Sequence, residues 1–85
     1  MNQTALKARI MNDKEFFGRV FTKVPARKVL ATVQAKYPEA REYSPAARRI
    51  TFNSLNNPGW FYWLDFERGE LKCTAVYVPS KEDDE

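Results

Sequence analysis

Asp65, Glu67, Glu70 and Cys73 lie close together in WLDFERGELKC and are the densest group in the body of the chain able to move protons or attack an electrophile. A nucleophile needs a base within hydrogen-bond reach, and the chain has no histidine to serve as one. A carboxylate or a lysine would have to do that work. The three acids sit around Arg68-Gly69, which reads as an exposed hairpin tip, with Arg49 and Lys72 as natural partners. Solvated, paired carboxylates do not gain the raised pKa that a general acid needs. The single cysteine falls on the apolar side of its segment, where a thiol remote from cations behaves as an inert hydrophobe. Alone it can close no intrachain disulfide and build no Cys/His zinc site. Gly18, Gly59 and Gly69 are isolated, so no phosphate-cradling loop is present. The expectation is a protein without catalytic chemistry, metal, cofactor or small-molecule substrate.

The remaining chemistry is that of binding. The chain carries twelve aromatics among its 85 residues and an apolar fraction of 44%, enough for one small domain with its own core. The net charge of +3 is unevenly distributed. Residues 1–49 hold eleven Lys/Arg against four Asp/Glu, whereas Lys81-Glu-Asp-Asp-Glu85 is an acidic tail, expected to be disordered. A basic front half suits an acidic partner, although ordinary basic proteins share the feature. The N-terminal residues lack the apolar run of a signal peptide. The longest apolar run, Trp60 to Leu64, is too short to span a bilayer. A cytoplasmic protein without membrane contact is expected.

Positioning these groups falls to a helix and a meander. In PARKVLATVQAKY, Ala26, Val29, Leu30, Val33 and Tyr37 form one apolar stripe, roughly 100° wide at helical spacing. Pro25 suits the first turn, and Pro38 stops the helix, which predicts an amphipathic helix at about 25–37. Outside the stripe lie Arg27, Lys28 and Lys36, with no acid among them. Strands are predicted at Arg49–Asn53, Trp60–Glu67 and Glu70–Val78, separated by the turn signals LNNPG and Arg68-Gly69. A two-residue loop at Arg68-Gly69 fixes a register in which paired residue numbers sum to 137. Trp60, Tyr62, Leu64 and Phe66 then share one face with Tyr77, Ala75, Cys73 and Leu71. The other face carries Phe61 beside Val76, Trp63 beside Thr74, and an Arg49–Asp65–Lys72 charge ladder.

The front of the chain is more ambiguous. Phe16 to Phe21, FFGRVF, reads as a fourth strand leading into the helix. Residues 4–11, TALKARIM, fit either a strand or a short helix, and EAREYSPAARR reads as a connector. The predicted class is α+β: a single small domain, residues 1–80, with an antiparallel sheet of three to five strands, one main helix on one face and a C-terminal meander at about 49–78.

One helix covers one face of a sheet, so the second apolar face needs an occupant. Three readings are open. The N-terminal segment folds over it, placing Leu6, Ile10 or Phe17 on Trp63. Alternatively, it meets another protein or a second copy of the chain, with Arg49, Thr51, Phe61, Trp63, Lys72, Val76 and Val78 as the contact surface. In the third reading it stacks single-stranded nucleic acid, with Phe61 and Trp63 as the platform and Arg27, Lys28 and Lys36 on the phosphates. Stacking sheets usually carry cations beside their aromatics, and here the basic helix is expected on the opposite side. The expected function is therefore a small regulatory or accessory module acting through protein–protein contact, a role common among compact cofactor-free chains, including those of phages and mobile elements, with nucleic-acid binding as the alternative.

Overall fold

The computed structural model describes residues 3–53 and 59–78. It is an α+β fold with three helices followed by a four-stranded antiparallel sheet. The helices are α1 (Gln3–Met11), α2 (Lys14–Lys23) and α3 (Ala26–Gln34). The strands are β1 (Ala40–Ser44), β2 (Arg49–Asn53), β3 (Trp60–Glu67) and β4 (Glu70–Tyr77), in spatial order β1-β2-β3-β4.

The predicted meander and its register are observed. Trp60 pairs with Tyr77, Leu64 with Cys73 and Glu67 with Glu70, while Arg49 pairs with Asp65 and Phe52 with Tyr62. Arg68 (φ 52°) and Gly69 (φ 79°) both occupy the left-handed region that a primed two-residue hairpin requires. Gly59 also has positive φ, 89°, and a Cβ there would come within 2.9 Å of the Tyr77 ring. Glycine is thus needed where the chain enters β3. The LNNPG signal at 55–59 otherwise lies outside the described residues, as does the acidic tail at 81–85.

The first half differs from expectation. The fourth strand is Ala40–Ser44, inside the stretch read as a connector, and it pairs with β2 through Tyr43↔Ile50 and Ser44↔Arg49. Phe16 to Phe21 is helical, not a strand. The six-residue window FFGRVF is too short to reveal its period, whereas over Lys14–Lys23 the buried Phe17, Val20 and Phe21 fall at helical spacing. Residues 4–11 resolve as helix, and α3 ends at Gln34, short of the predicted Tyr37. Tyr37 still packs inward from the turn that follows.

All three helices lie on the same side of the sheet. Leu6 and Ile10 of α1, Phe17, Val20 and Phe21 of α2, and Val29 and Val33 of α3 form one buried cluster with Ile50, Phe52, Tyr62 and Leu64. This excludes the first of the three readings, a lid over the second face, because Leu6, Ile10 and Phe17 pack on the face opposite Trp63. Trp60, expected in the core, is only half-buried and tilts against the Tyr77 ring at 5.1 Å.

Polar contacts lock the helical layer. Asp13 accepts from Tyr37 Oη (3.0 Å) and pairs with Lys36 Nζ (2.7 Å), joining the start of α2 to the end of α3. Arg48, unassigned by sequence, sits at φ 52° and donates to the Phe21 carbonyl (3.1 Å) in the last turn of α2. A cation at a helix C-terminus satisfies an otherwise orphaned acceptor and opposes the dipole. Its guanidinium also lies 5.2 Å from the centroid of Phe66, whose ring stacks on Phe21.

Tyr62 is fully buried, and its hydroxyl has no hydrogen-bond partner among the described residues. A buried unsatisfied hydroxyl is destabilising by about 1–3 kcal/mol relative to a satisfied one. Tyr62→Phe is therefore expected to raise the unfolding free energy by about 1 kcal/mol. Urea denaturation checks this, and a loss of stability would show that the hydroxyl has a partner.

Candidate outer-face docking surface

Alternation along each strand decides which side chains face away from the helices. On β3 these are Phe61, Trp63, Asp65 and Glu67, and on β4 Lys72, Thr74 and Val76. Arg49, Thr51 and Asn53 of β2 join them, with Glu42 and Ser44 of β1. Phe61, Trp63 and Val76 are half-buried, and none of the three helices packs over them. The face therefore has an apolar centre at Phe61, Trp63 and Val76, bordered by Thr51, Asn53 and Thr74, with charges at the hairpin end.

The charges are organised around Arg49. Its Nε and one terminal nitrogen donate to the two Asp65 carboxylate oxygens at 2.7 and 3.2 Å. This bidentate pairing holds the guanidinium in its charged form and fixes its orientation. The same guanidinium carbon stands 4.0 Å from the Trp63 ring centroid, so ion pair and indole form one stack. Trp63 is thereby held as a rigid aromatic surface. Lys72 stands opposite Asp65 in the ladder and is exposed, so the predicted row exists as a register while the close ion pair is Arg49–Asp65.

The remaining site residues from the sequence divide between two sides. Val78 is 54% exposed just beyond β4. Arg27 and Lys28 are exposed on α3, in the helical layer, and Lys36 is engaged by Asp13 while its ammonium lies 4.6 Å from the Phe16 ring centroid. The basic helix residues and the aromatic pair Phe61/Trp63 are thus separated by the thickness of the sheet. Glu42 and Ser44 join the outer face without having been anticipated. The alternation in Ala40–Ser44 is short and follows a bulge between Ala40 and Glu42, which hides the strand in the sequence.

The acid and the thiol nearest this face are both engaged or buried among the described residues. Asp65 is committed to Arg49, and the Cys73 thiol, on the helical side of β4, is pushed up to about 11 mainly by burial. Among the described residues no group of three or more His, Cys, Asp or Glu is placed to hold a metal ion, and no helix is long and apolar enough to cross a membrane. No protein-family model matches the chain, and comparison with curated proteins and with solved structures found no match.

Proposed function

We propose that the chain is a non-catalytic binding module that docks a partner protein on its outer sheet face. The observation that carries this reading is the half-buried aromatic and aliphatic centre, Phe61, Trp63 and Val76, which no other described element covers, on a sheet whose three helices all pack on the other side. Interfaces concentrate their energy in rigid aromatic anchors surrounded by a polar rim. Trp63, braced by Arg49, is the anchor, Phe61 and Val76 extend it, and Thr51, Lys72 and Val78 border it. The partner that fits is an apolar protein patch of similar extent, because the local Arg49–Asp65 pair leaves little net charge to attract a polyanion.

The test uses a photo-reactive residue at Thr51 to capture and identify the partner, followed by titration of that purified partner. Val76→Asp is expected to weaken binding by about 2 kcal/mol or more, the scale of an interface hot spot, while Arg27→Glu on the helical layer changes it little. Affinity should depend weakly on salt. Quenching of Trp63 by a single-stranded oligonucleotide, abolished as salt rises, would instead establish nucleic-acid stacking and overturn the proposal.

A further inference from the structure

The two edges of the sheet are built differently. β1 is five residues long, interrupted by a bulge at Arg41, and its Ala40 carbonyl accepts from the Gln34 side chain (2.9 Å). Short length, a bulge and flanking charges are the usual devices that stop an edge from recruiting another strand. β4 is neither short nor bulged, and its two charges, Glu70 and Lys72, sit at its hairpin end. It runs eight residues in unbroken register with β3, without proline or bulge.

The direction of its hydrogen bonds follows from one contact. Val78 N–H donates to the Gly59 carbonyl at 2.7 Å, so even-numbered residues of this strand point their backbone groups toward β3. By alternation Leu71, Cys73, Ala75 and Tyr77 point theirs outward. Among the described residues those N–H and C=O groups have no partner. The same end is thinly covered, since Ala75 is exposed although it faces the helical side, and Tyr77 is 49% exposed.

We infer that β4 pairs antiparallel with β4 of a second copy across a two-fold axis at Thr74, joining two sheets into one continuous sheet. Strand complementarity selects this occupant and this register. With Thr74 opposite itself, Leu71 meets the partner's Tyr77 and Cys73 meets the partner's Ala75, and every outward-pointing backbone group from Leu71 to Tyr77 is satisfied in both copies. Leu71 then covers the half-exposed Tyr77 ring, an aromatic–aliphatic cross-strand pair. Lys72 falls opposite the partner's Val76, so no like charges oppose one another. The pairing closes on itself, because the blunted β1 edges at both ends stop further addition. It also sets the two outer faces side by side, but it does not depend on what those faces bind.

Sedimentation of the full chain over a wide concentration range tests the inference. The wild type is expected to be a dimer. Ala75→Pro removes an N–H that points away from β3, so the protomer loses no internal hydrogen bond while the pairing is blocked. It should weaken association by about 100-fold or more with the circular dichroism unchanged. Val76→Asp, which disrupts the outer face, should leave the dimer intact, so failure of the docking proposal and failure of this one are distinguishable. A cross-link decides the register if Ala75→Pro does not fold. Directly opposed residues of a non-hydrogen-bonded antiparallel pair have Cα atoms about 4.5 Å apart, within disulfide reach. In a Cys73→Ser background, Thr74→Cys should therefore oxidise to a covalent dimer and Val76→Cys should not. A wild type that stays monomeric at every concentration, a folded Ala75→Pro that still dimerises, or a Val76→Cys that cross-links in place of Thr74→Cys overturns it.

Discussion

Phe17→Ala is expected to remove a large share of the protein's stability. The Phe17 ring is fully buried and is the hub of an aromatic cluster: Phe16 lies edge-on at 5.0 Å, Tyr37 tilts against it at 5.2 Å and Phe52 meets it edge-on at 6.0 Å. Truncating a buried phenylalanine costs about 3–5 kcal/mol, part transfer and part residual cavity. Domains are stable by roughly 0.05–0.15 kcal/mol per residue, so a chain of this length has about 4–13 kcal/mol in all. The melting temperature should fall by roughly 12–40 °C, at about 4–8 °C per kcal/mol for so small a domain. Phe61→Ala, the same chemical change on the outer face, should cost no more than about 1 kcal/mol, because the ring is already half in water. The pair of variants measures which side of the sheet is the core. If Phe61→Ala cost more than Phe17→Ala in thermal or urea unfolding, α2 would have to lie on the outer face and the docking surface would not exist.

That contrast also shows where the sequence was readable. The meander was legible because two turns independently constrained it. Arg68-Gly69 demanded a two-residue hairpin, and the resulting register put Trp60, Tyr62, Leu64 and Phe66 on one face without conflict. Local chemistry decided the structure there. In the first half, tertiary packing decided it. FFGRVF satisfies strand alternation almost as well as helical spacing, and only burial of Phe17, Val20 and Phe21 against β2 and β3 selects the helix. TALKARIM was undecidable for the same reason, since Leu6 and Ile10 suit both periods until the sheet is present to receive them. β1 was concealed because a five-residue strand containing a bulge has too little alternation to register.

The outer face follows from strand parity, which alone puts Arg49, Thr51, Phe61, Trp63, Lys72 and Val76 on it. Whether anything covered it was not readable. That depends on which side α1 and α2 choose, a long-range property that their own sequences leave open. The stacking of Arg49 on Trp63 was likewise invisible, because it joins diagonal neighbours on adjacent strands through side-chain geometry rather than spacing.

The second large effect is loss of stability at alkaline pH, and it originates at Tyr37. Its hydroxyl lies 3.0 Å from Asp13 Oδ2 and 3.1 Å from the Arg9 carbonyl, two acceptors that welcome the phenol proton and repel a phenolate. Burial, and then the hydrogen bond to Asp13, push its pKa up to about 12 from the ordinary 10.0. A pKa raised in the folded state means that folding favours the protonated form. The stability this contributes is fully present below pH 10 and is lost as pH rises toward 12. At about 1.4 kcal/mol per pKa unit, two units amount to about 3 kcal/mol, a large share of a small domain's total. Burial also raises the pKa of Tyr62, which adds to the loss in the same direction. Asp13 behaves oppositely at the acid end. Its hydrogen bond with Lys36 lowers its pKa below 3.8, so its contribution is present above the ordinary carboxylate range and is lost as pH falls through the folded value. Tyr37→Phe separates the terms. It should cost about 1 kcal/mol at neutral pH for the lost hydrogen bond, yet it should flatten the decline in unfolding free energy between pH 10 and 12. It should also delete the highest-titrating component of the tyrosinate absorbance. If Tyr37 instead ionises near the ordinary phenol value while the chain stays folded, the Tyr37–Asp13 contact does not hold α2 to the end of α3. The helical layer would then rest on its apolar contacts and on its other polar contacts, the Lys36–Asp13 pair and the Arg48–Phe21 hydrogen bond among them.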